Sequence, residues 1–327
     1  MTLRIGVIGT GAIGKDHIRR INEVLTGGKV IAVADICEAG PKAIAEKYGV
    51  KTYKNGADLI NDPEVDAIVV TTPGFAHKDP VLQAIAAGKP VFTEKPLSTT
   101  AADCKEIVNA EIAGGKHLVQ VGFMRRYDKG YNQVKAMLDS GEFGVPLILH
   151  CTHRNPEVDT SYTTPMAVHD TAIHEIDVLH WLIDDEYESA QVIMPVSTKY
   201  THSKLKDPQL MILRTKKGIC IEIEVFVNCE VVCEDGVVKM PAPSTPITRK
   251  NGLLSTGIET NWKNRFIDAY DVELQDWINS AGKGEINGPT AWDGYLASMT
   301  ADALVKAQTS GAIEPITTGE MPEFYAK

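Results

Sequence analysis

The sequence predicts an α/β chain in two parts. A doubly wound parallel sheet occupies residues 1–122, and an α+β domain with an open, largely antiparallel sheet occupies 123–327. Three observations predict it. A glycine cluster follows the first β-branched run directly, short apolar runs then alternate with helical patterns as far as Gly122, and beyond that point strand-like runs crowd together with hairpin signals between them.

In the first part, 3–8 is apolar and β-branched, and 13–25 places Ile18, Ile21 and Leu25 at helical spacing. A second buried run covers 30–34. A short helix follows at 41–48, with Pro41 in its first turn, where proline is tolerated. Strands at 67–70, 90–93 and 118–121 alternate with helices at 79–87 and 99–113. Strands that are apolar throughout are covered on both faces, which with intervening helices means a parallel sheet. In the second part, helices are expected at 131–138, 171–183, 266–279 and 291–309. Strands are expected at 146–154, 191–194, 209–215, 219–228, 231–234 and 237–240. Lys216-Lys217-Gly218 and Glu234-Asp235-Gly236 supply turn chemistry. Between Val227 and Val231 only Asn228 does, so a hairpin is hard to close there.

The composition, 43% hydrophobic and 23% charged over 327 residues, is that of a globular protein able to bury a sizeable core. A formal charge of −10 without a basic stripe argues against nucleic acid as a partner. No apolar run reaches the ~18 residues of a membrane span, and no secretory pattern follows Met1. The six cysteines form no C-x-x-C pair and suit a reducing compartment, so a cytoplasmic protein is expected.

The most specific motif is Gly9-Thr10-Gly11-Ala12-Ile13-Gly14, in the strand–turn–helix context of a dinucleotide-binding (Rossmann) fingerprint. Gly9 permits the tight turn, Gly11 lets the backbone approach a pyrophosphate, and Gly14 allows close packing of helix on strand. The N–H groups at the helix start, from Ala12 onward, face the phosphates. Asp35, ending the second strand, is placed to accept from the adenosine ribose hydroxyls. The next residue, Ile36, offers no cation for a 2′-phosphate, which favours NAD over NADP. Thr72 and Pro73, beyond the 67–70 strand, and Glu94 and Lys95 complete the expected cofactor contacts. A tight turn with a solvated acid is the bland alternative.

Ligands of open parallel sheets bind beyond the carboxyl ends of the strands. Lys95 sits at one such end and can stabilise a developing alkoxide, or it can be a surface lysine paired with Glu94. The run 170–177 offers a second constellation. At α-helical spacing Asp170, His174 and Asp177 share a polar stripe, while Ile173, Ile176 and Leu179 turn to the core. A histidine braced by a carboxylate suits general acid–base work. A helix start decorated with acids, or a metal site, would use the same residues, although the zincin spacing is absent and no metal is expected. His153, Asn155, Met124 and Arg125 lie near strand ends where they could line a pocket for a polyhydroxylated ligand.

These features in order – the glycine motif, the acid after the second strand, Glu94-Lys95-Pro96 and Asp170-x-x-x-His174 – resemble the glucose–fructose oxidoreductase / inositol dehydrogenase / rhizopine catabolism (Gfo/Idh/MocA) family over nearly the whole chain. The stretches 122–128 and 169–182 are most similar to its bacterial inositol 2-dehydrogenase members. The resemblance implies NAD-dependent oxidation of myo-inositol to 2-keto-myo-inositol (scyllo-inosose) by a homotetramer joined through the open sheet. It implies Lys95, Asp170 and His174 as catalytic residues, with His174 the general base, and Met124, Arg125, His153, Asn155 and Asp177 as substrate contacts. Lys95 and His174 would then meet at one nicotinamide face. The same chemistry on scyllo-inositol or another sugar, and a non-enzymatic dinucleotide- and sugar-binding sensor, are the alternatives. One departure stands out: the tyrosine-bearing stretch that family members carry between strands near Asn228 is missing here.

Overall fold

The computed structural model describes residues 2–153, 158–197, 203–224, 228–233, 236–239, 247–250, 253–256 and 262–326. The chain divides into two compact units. One is formed by Met1–Phe123, Asp271–Ala303 and Thr317–Lys327, the other by Met124–Tyr270 and Leu304–Ile316.

In the first unit the chain runs β1 (Leu3–Ile8), α1 (Ala12–Glu23), β2 (Gly28–Ala34), α2 (Ala39–Tyr48), β3 (Lys51–Tyr53), α3 (Gly56–Asn61), β4 (Ala67–Val70), α4 (Lys78–Ala86), β5 (Val91–Glu94), α5 (Ala101–Gly114) and β6 (Val119–Gly122). The six strands pair in the order β3-β2-β1-β4-β5-β6, all parallel. Strand order reverses between β1 and β4, and the crevice at their carboxyl ends is where such sheets bind ligands. Ile5, Val7, Val30, Val33, Val69 and Phe92 are fully buried, with Ile18 and Ile21 of α1 closing over them. β3 and α3 escaped the sequence reading. β3 is a three-residue edge strand with no buried position, and α3 is a six-residue helix started by Asn55, whose side chain accepts from the Asp58 N–H at 2.9 Å.

The sequence placed the domain division after residue 122, whereas the first unit also takes in segments from 271–303 and 317–327. The reason is apolar burial. Leu274, Trp277 and Ile278 belong to the same core cluster as the parallel sheet, and Trp277 meets Phe92 edge-on at 5.8 Å. Truncating a buried tryptophan costs roughly 3–5 kcal/mol, enough to fix a helix to its partner. The buried Arg20 of α1 donates through Nε to Asp271 at 2.7 Å, and Tyr325 donates to Glu111 at 2.6 Å.

The second unit begins with a single 3₁₀ turn at Met124–Tyr127 and α6 (Lys129–Asp139). It continues with β7 (Pro146–Thr152), α7 (Ile173–Ile183), β8 (Tyr187–Ile193), β9 (Leu210–Thr215), β10 (Cys220–Glu224), β11 (Asn228–Cys233), β12 (Gly236–Lys239), β13 (Ile247–Lys250) and β14 (Leu253–Thr256). Two long helices, α8 (Trp262–Ala281) and α9 (Ala291–Ser310), are shared between the two units' segments. β15 (Glu314–Pro315) adds the last strand. The seven-stranded sheet runs β12-β11-β7-β10-β9-β8-β15, antiparallel except for the β7–β10 pair. Leu149, Cys151, Ile221 and Ile223 are buried on one face, while Ile148, His150 and Cys220 are exposed on the other. That alternation is expected of a sheet covered on one side.

The hairpin that the sequence could not close near Asn228 does not exist. β7 lies between β10 and β11, and Thr152 pairs with Glu224 on one side and with Asn228 on the other. The two strands are therefore two ladder spacings apart, about 10 Å. The β13–β14 pair was not foreseen in the sequence.

Candidate functional site

The first unit's site starts with its glycines. Gly9 has φ +103°, a conformation that glycine adopts without steric cost, and a Cβ there would lie 2.6 Å from the Thr71 carbonyl carbon. A Cβ on Gly14 would meet Thr71 Oγ1 at 2.7 Å and the Gly9 carbonyl oxygen. Gly11 differs from both, because a Cβ there would find nothing within 4 Å. Gly11 is also the N-cap of α1, so no side chain caps this helix and no acid stands in its first turn. The first intrahelical bond runs from Lys15 N–H to the Gly11 carbonyl at 3.0 Å, so the N–H groups of Ala12, Ile13 and Gly14 precede it. Open space before an uncapped helix start fits the pyrophosphate of a dinucleotide.

Asp35, at the end of β2, accepts from the Thr10 N–H and hydroxyl, both at 2.7 Å, and from the Cys37 N–H at 2.9 Å. Burial works to raise its carboxyl, but these bonds outweigh that and hold it below the usual carboxylate range. It is thus an anion that also ties the glycine turn to β2. A carboxylate offers about four lone-pair sites, so with these three filled about one is left for a ribose hydroxyl.

Thr72 and Pro73 follow β4, Glu94 ends β5 and Lys95 follows it, so these expected cofactor residues lie at the carboxyl ends of neighbouring parallel strands. Glu94, however, is turned inward. Its Oε1 lies 2.7 Å from His17 Nε2 of α1, and its Oε2 accepts from the Lys95 N–H at 3.2 Å. Burial alone would raise the Glu94 carboxyl, yet His17 beside it keeps it lowered. His77, which the sequence reading passed over, is buried with Nδ1 2.7 Å from the Pro96 carbonyl and Nε2 2.6 Å from the Thr72 carbonyl. Burial depresses its basicity more than the two carbonyls raise it.

The second unit has its own cluster. Met124, Arg125, His153, His174 and Asp177 are all buried, whereas Asp170 is exposed. Asn155 lies outside the described residues. Arg125 forms a buried ion pair with Glu175, and His153 Nδ1 stands 3.1 Å from both partners. Burial would raise the Glu175 carboxyl, but the Arg125 guanidinium and His153 hold it down to about 2. Arg126 donates to both oxygens of Asp177, through Nε at 2.9 Å and through Nη2. Two consecutive arginines of the 3₁₀ turn thus fasten α7 just after His174, at Glu175 and Asp177.

The expected stripe of Asp170, His174 and Asp177 assumed α-helical winding throughout. Residues Ala167–Ala172 are instead wound as a π-helix, so four residues no longer measure one turn between Asp170 and His174. Tyr162 supports that segment, donating to the Met166 carbonyl at 2.9 Å with its hydroxyl 2.5 Å from Thr171 Oγ1. π turns recur at functional sites. The three apolar residues expected in the core, Ile173, Ile176 and Leu179, are fully buried. Among the described residues no cluster of His, Cys, Asp and Glu is arranged to hold a metal ion, and no helix is long and apolar enough to cross a membrane.

Comparison with known proteins places the chain beside dehydrogenases. It is 54% identical to inositol 2-dehydrogenase of Serratia proteamaculans (strain 568) over 337 aligned positions covering all of both chains. It is likewise 54% identical to inositol 2-dehydrogenase of Azotobacter vinelandii (strain DJ / ATCC BAA-1303), over all of this chain and 99% of that one. Its fold is similar to that of myo-inositol dehydrogenase from Lactobacillus casei in complex with NAD(H) and myo-inositol, with a TM-score of 0.97 and 42% identity over 99% of this chain and 100% of the other. Residues 3–123 match the oxidoreductase family with an NAD-binding Rossmann fold, residues 135–318 match that family's C-terminal alpha/beta domain, and the chain therefore belongs to this oxidoreductase family, Gfo/Idh/MocA.

Proposed function

We propose that the chain oxidises a ring hydroxyl of myo-inositol with NAD, giving 2-keto-myo-inositol, the reaction of an inositol 2-dehydrogenase. The observation that carries the substrate is the 54% identity to such an enzyme across the full length of both chains. The cofactor is supported by the uncapped start of α1 with open space at Gly11, and by Asp35 beside the non-cationic Ile36.

Gly11, Ala12, Ile13 and Gly14 would hold the pyrophosphate and Asp35 the adenosine ribose, with Gly9, Thr72, Pro73, Glu94 and Lys95 shaping the crevice. When bound, NAD supplies the acceptor for the hydride that leaves the alcohol carbon. His174 takes the hydroxyl proton as that carbon becomes a carbonyl. Asp170 steadies the imidazolium so formed, and Lys95 stabilises the negative charge developing on the oxygen. A neutral polyol is bound through paired hydrogen bonds rather than a charge clamp. His153, Asn155, Asp177, Met124 and Arg125 are assigned to that pocket, with Arg125 and Asp177 also held by Glu175 and Arg126. The sheet face bearing Ile148 and Cys220 is the surface through which a cytoplasmic homotetramer would assemble.

An absorbance screen for NADH formation tests the reading, with purified protein, NAD or NADP, and a panel including myo-inositol, scyllo-inositol and aldoses. NADH should accumulate fastest with myo-inositol. Tight NADH binding with no reduction on any polyol would instead identify a sensor.

A further inference from the structure

We propose that His77 is a positioning residue for Lys95, binding the loop after β4 to the Glu94-Lys95-Pro96 loop after β5. The inference rests on the catalytic role proposed above for Lys95. Its ring is almost fully buried, at 1% exposure, and each nitrogen faces a backbone carbonyl: Pro96 at 2.7 Å and Thr72 at 2.6 Å. Carbonyls at loop ends have no ladder partner and must find a donor. The ring lies between one such group from each loop; as a neutral imidazole it donates to one of them, and only as an imidazolium to both. The loops also touch directly, since a Cβ on Gly74 would lie 2.9 Å from Pro96 Cγ, so the first loop can lie against the proline only with glycine there.

The other side of Lys95 is fastened as well. Glu94, one residue earlier, joins His17 of α1 through Oε1 and accepts from the Lys95 N–H through Oε2. The backbone of Lys95 is therefore anchored at both neighbours, to the helix expected to hold the pyrophosphate and to the loop carrying Thr72 and Pro73. Glu94 is anchored through its own side chain, so its removal would alter charge beside Lys95. Pro96 meets His77 through its carbonyl, so His77 can be changed without changing any group within the catalytic motif. That makes His77 the residue on which positioning can be separated from chemistry. A misplacement of about 1 Å costs up to about a hundredfold in rate.

The test is a double-mutant cycle in the full-length protein, using turnover of myo-inositol with NAD and NADH affinity by fluorescence. His77→Leu should lower kcat by about tenfold to a hundredfold while NADH affinity stays within about threefold. His77→Gln, whose amide nitrogen carries two N–H donors, should recover most of that loss. In a Lys95→Ala background, His77→Leu should lower the residual rate by less than about twofold, because a residue that acts through Lys95 has nothing left to position. Multiplicative losses, or unchanged kcat in His77→Leu, would overturn the inference while leaving the role of Lys95 intact. Unchanged turnover in Lys95→Ala alone would overturn that role and the inference with it. If His77→Leu does not fold, the same cycle is run with His77→Gln and His77→Asn, whose amides reach the two carbonyls to different extents. Equal kcat in the two, or losses that multiply with Lys95→Ala, would again overturn it.

Discussion

Three glycines in six residues do three different jobs, and single substitutions should separate them. Gly11 faces open space, so Gly11→Ala should leave the thermal midpoint unchanged while weakening NADH binding by roughly tenfold or more, because the methyl stands where the phosphates approach an uncapped helix. Gly14 packs on the Gly9 carbonyl and Thr71, so Gly14→Ala should destabilise the fold by about 1–3 kcal/mol. Thermal unfolding and NADH titration on the two variants check this, and identical behaviour would remove the distinction. These roles were legible in the sequence because a motif fixes backbone geometry locally. Glu94 shows the opposite case. Expected from the sequence as a cofactor contact, it also turns its carboxylate to His17, a pairing across 77 residues that no spacing rule reports. His77 was missed for the same reason, since both groups facing its ring are backbone carbonyls and leave no mark on residue type.

At the scale of elements, α7 is held by an unusual concentration of buried charge. Arg125 and Arg126 bind Glu175 and Asp177, so the helix is fixed within the turn that follows His174. A buried pair of this kind is costly to break, about 3–5 kcal/mol when one partner is removed. Glu175 titrates at about 2 in the folded chain against 4.5 ordinarily. A depressed carboxyl stabilises the fold fully above its unfolded value and loses that contribution as pH falls through the folded one. Stability measured by urea unfolding should therefore fall from about pH 5 to about pH 2, and the Glu175→Gln variant should start lower and fall less steeply. An equal slope in both would take Glu175 out of the acid response. The apolar stripe of α7 was legible from its periodicity. The π winding before it, where Tyr162 bonds to Met166 and Thr171, was not. Nor was the placement of β7 between β10 and β11, which is a choice of sheet order that strand propensity leaves open.

Across the whole molecule, the expected cofactor residues belong to one compact unit and the expected base and substrate contacts to the other. The units are interleaved in sequence, so a boundary after residue 122 could not reveal that Trp277 and Tyr325 complete the core of the first. That division of labour gives a test that does not depend on the exact pose of either ligand. Asp35→Ala removes an anion from the first unit only. It should weaken NAD binding and narrow the preference over NADP, since the repulsion of a 2′-phosphate goes with the carboxylate, while the KM for myo-inositol at saturating NAD stays near the wild-type value. His174→Ala removes a proton acceptor from the second unit only. It should lower kcat by about a hundredfold or more, the usual contribution of a positioned general base, with NADH affinity unchanged. Losses confined to kcat would mark a group used in the transition state, and a rise in KM alone would mark one that only binds. Were His174→Ala to weaken NADH and lower kcat in parallel, the histidine would be supporting the cofactor rather than the proton transfer, and Asp170 and Lys95 would have to carry the chemistry without it.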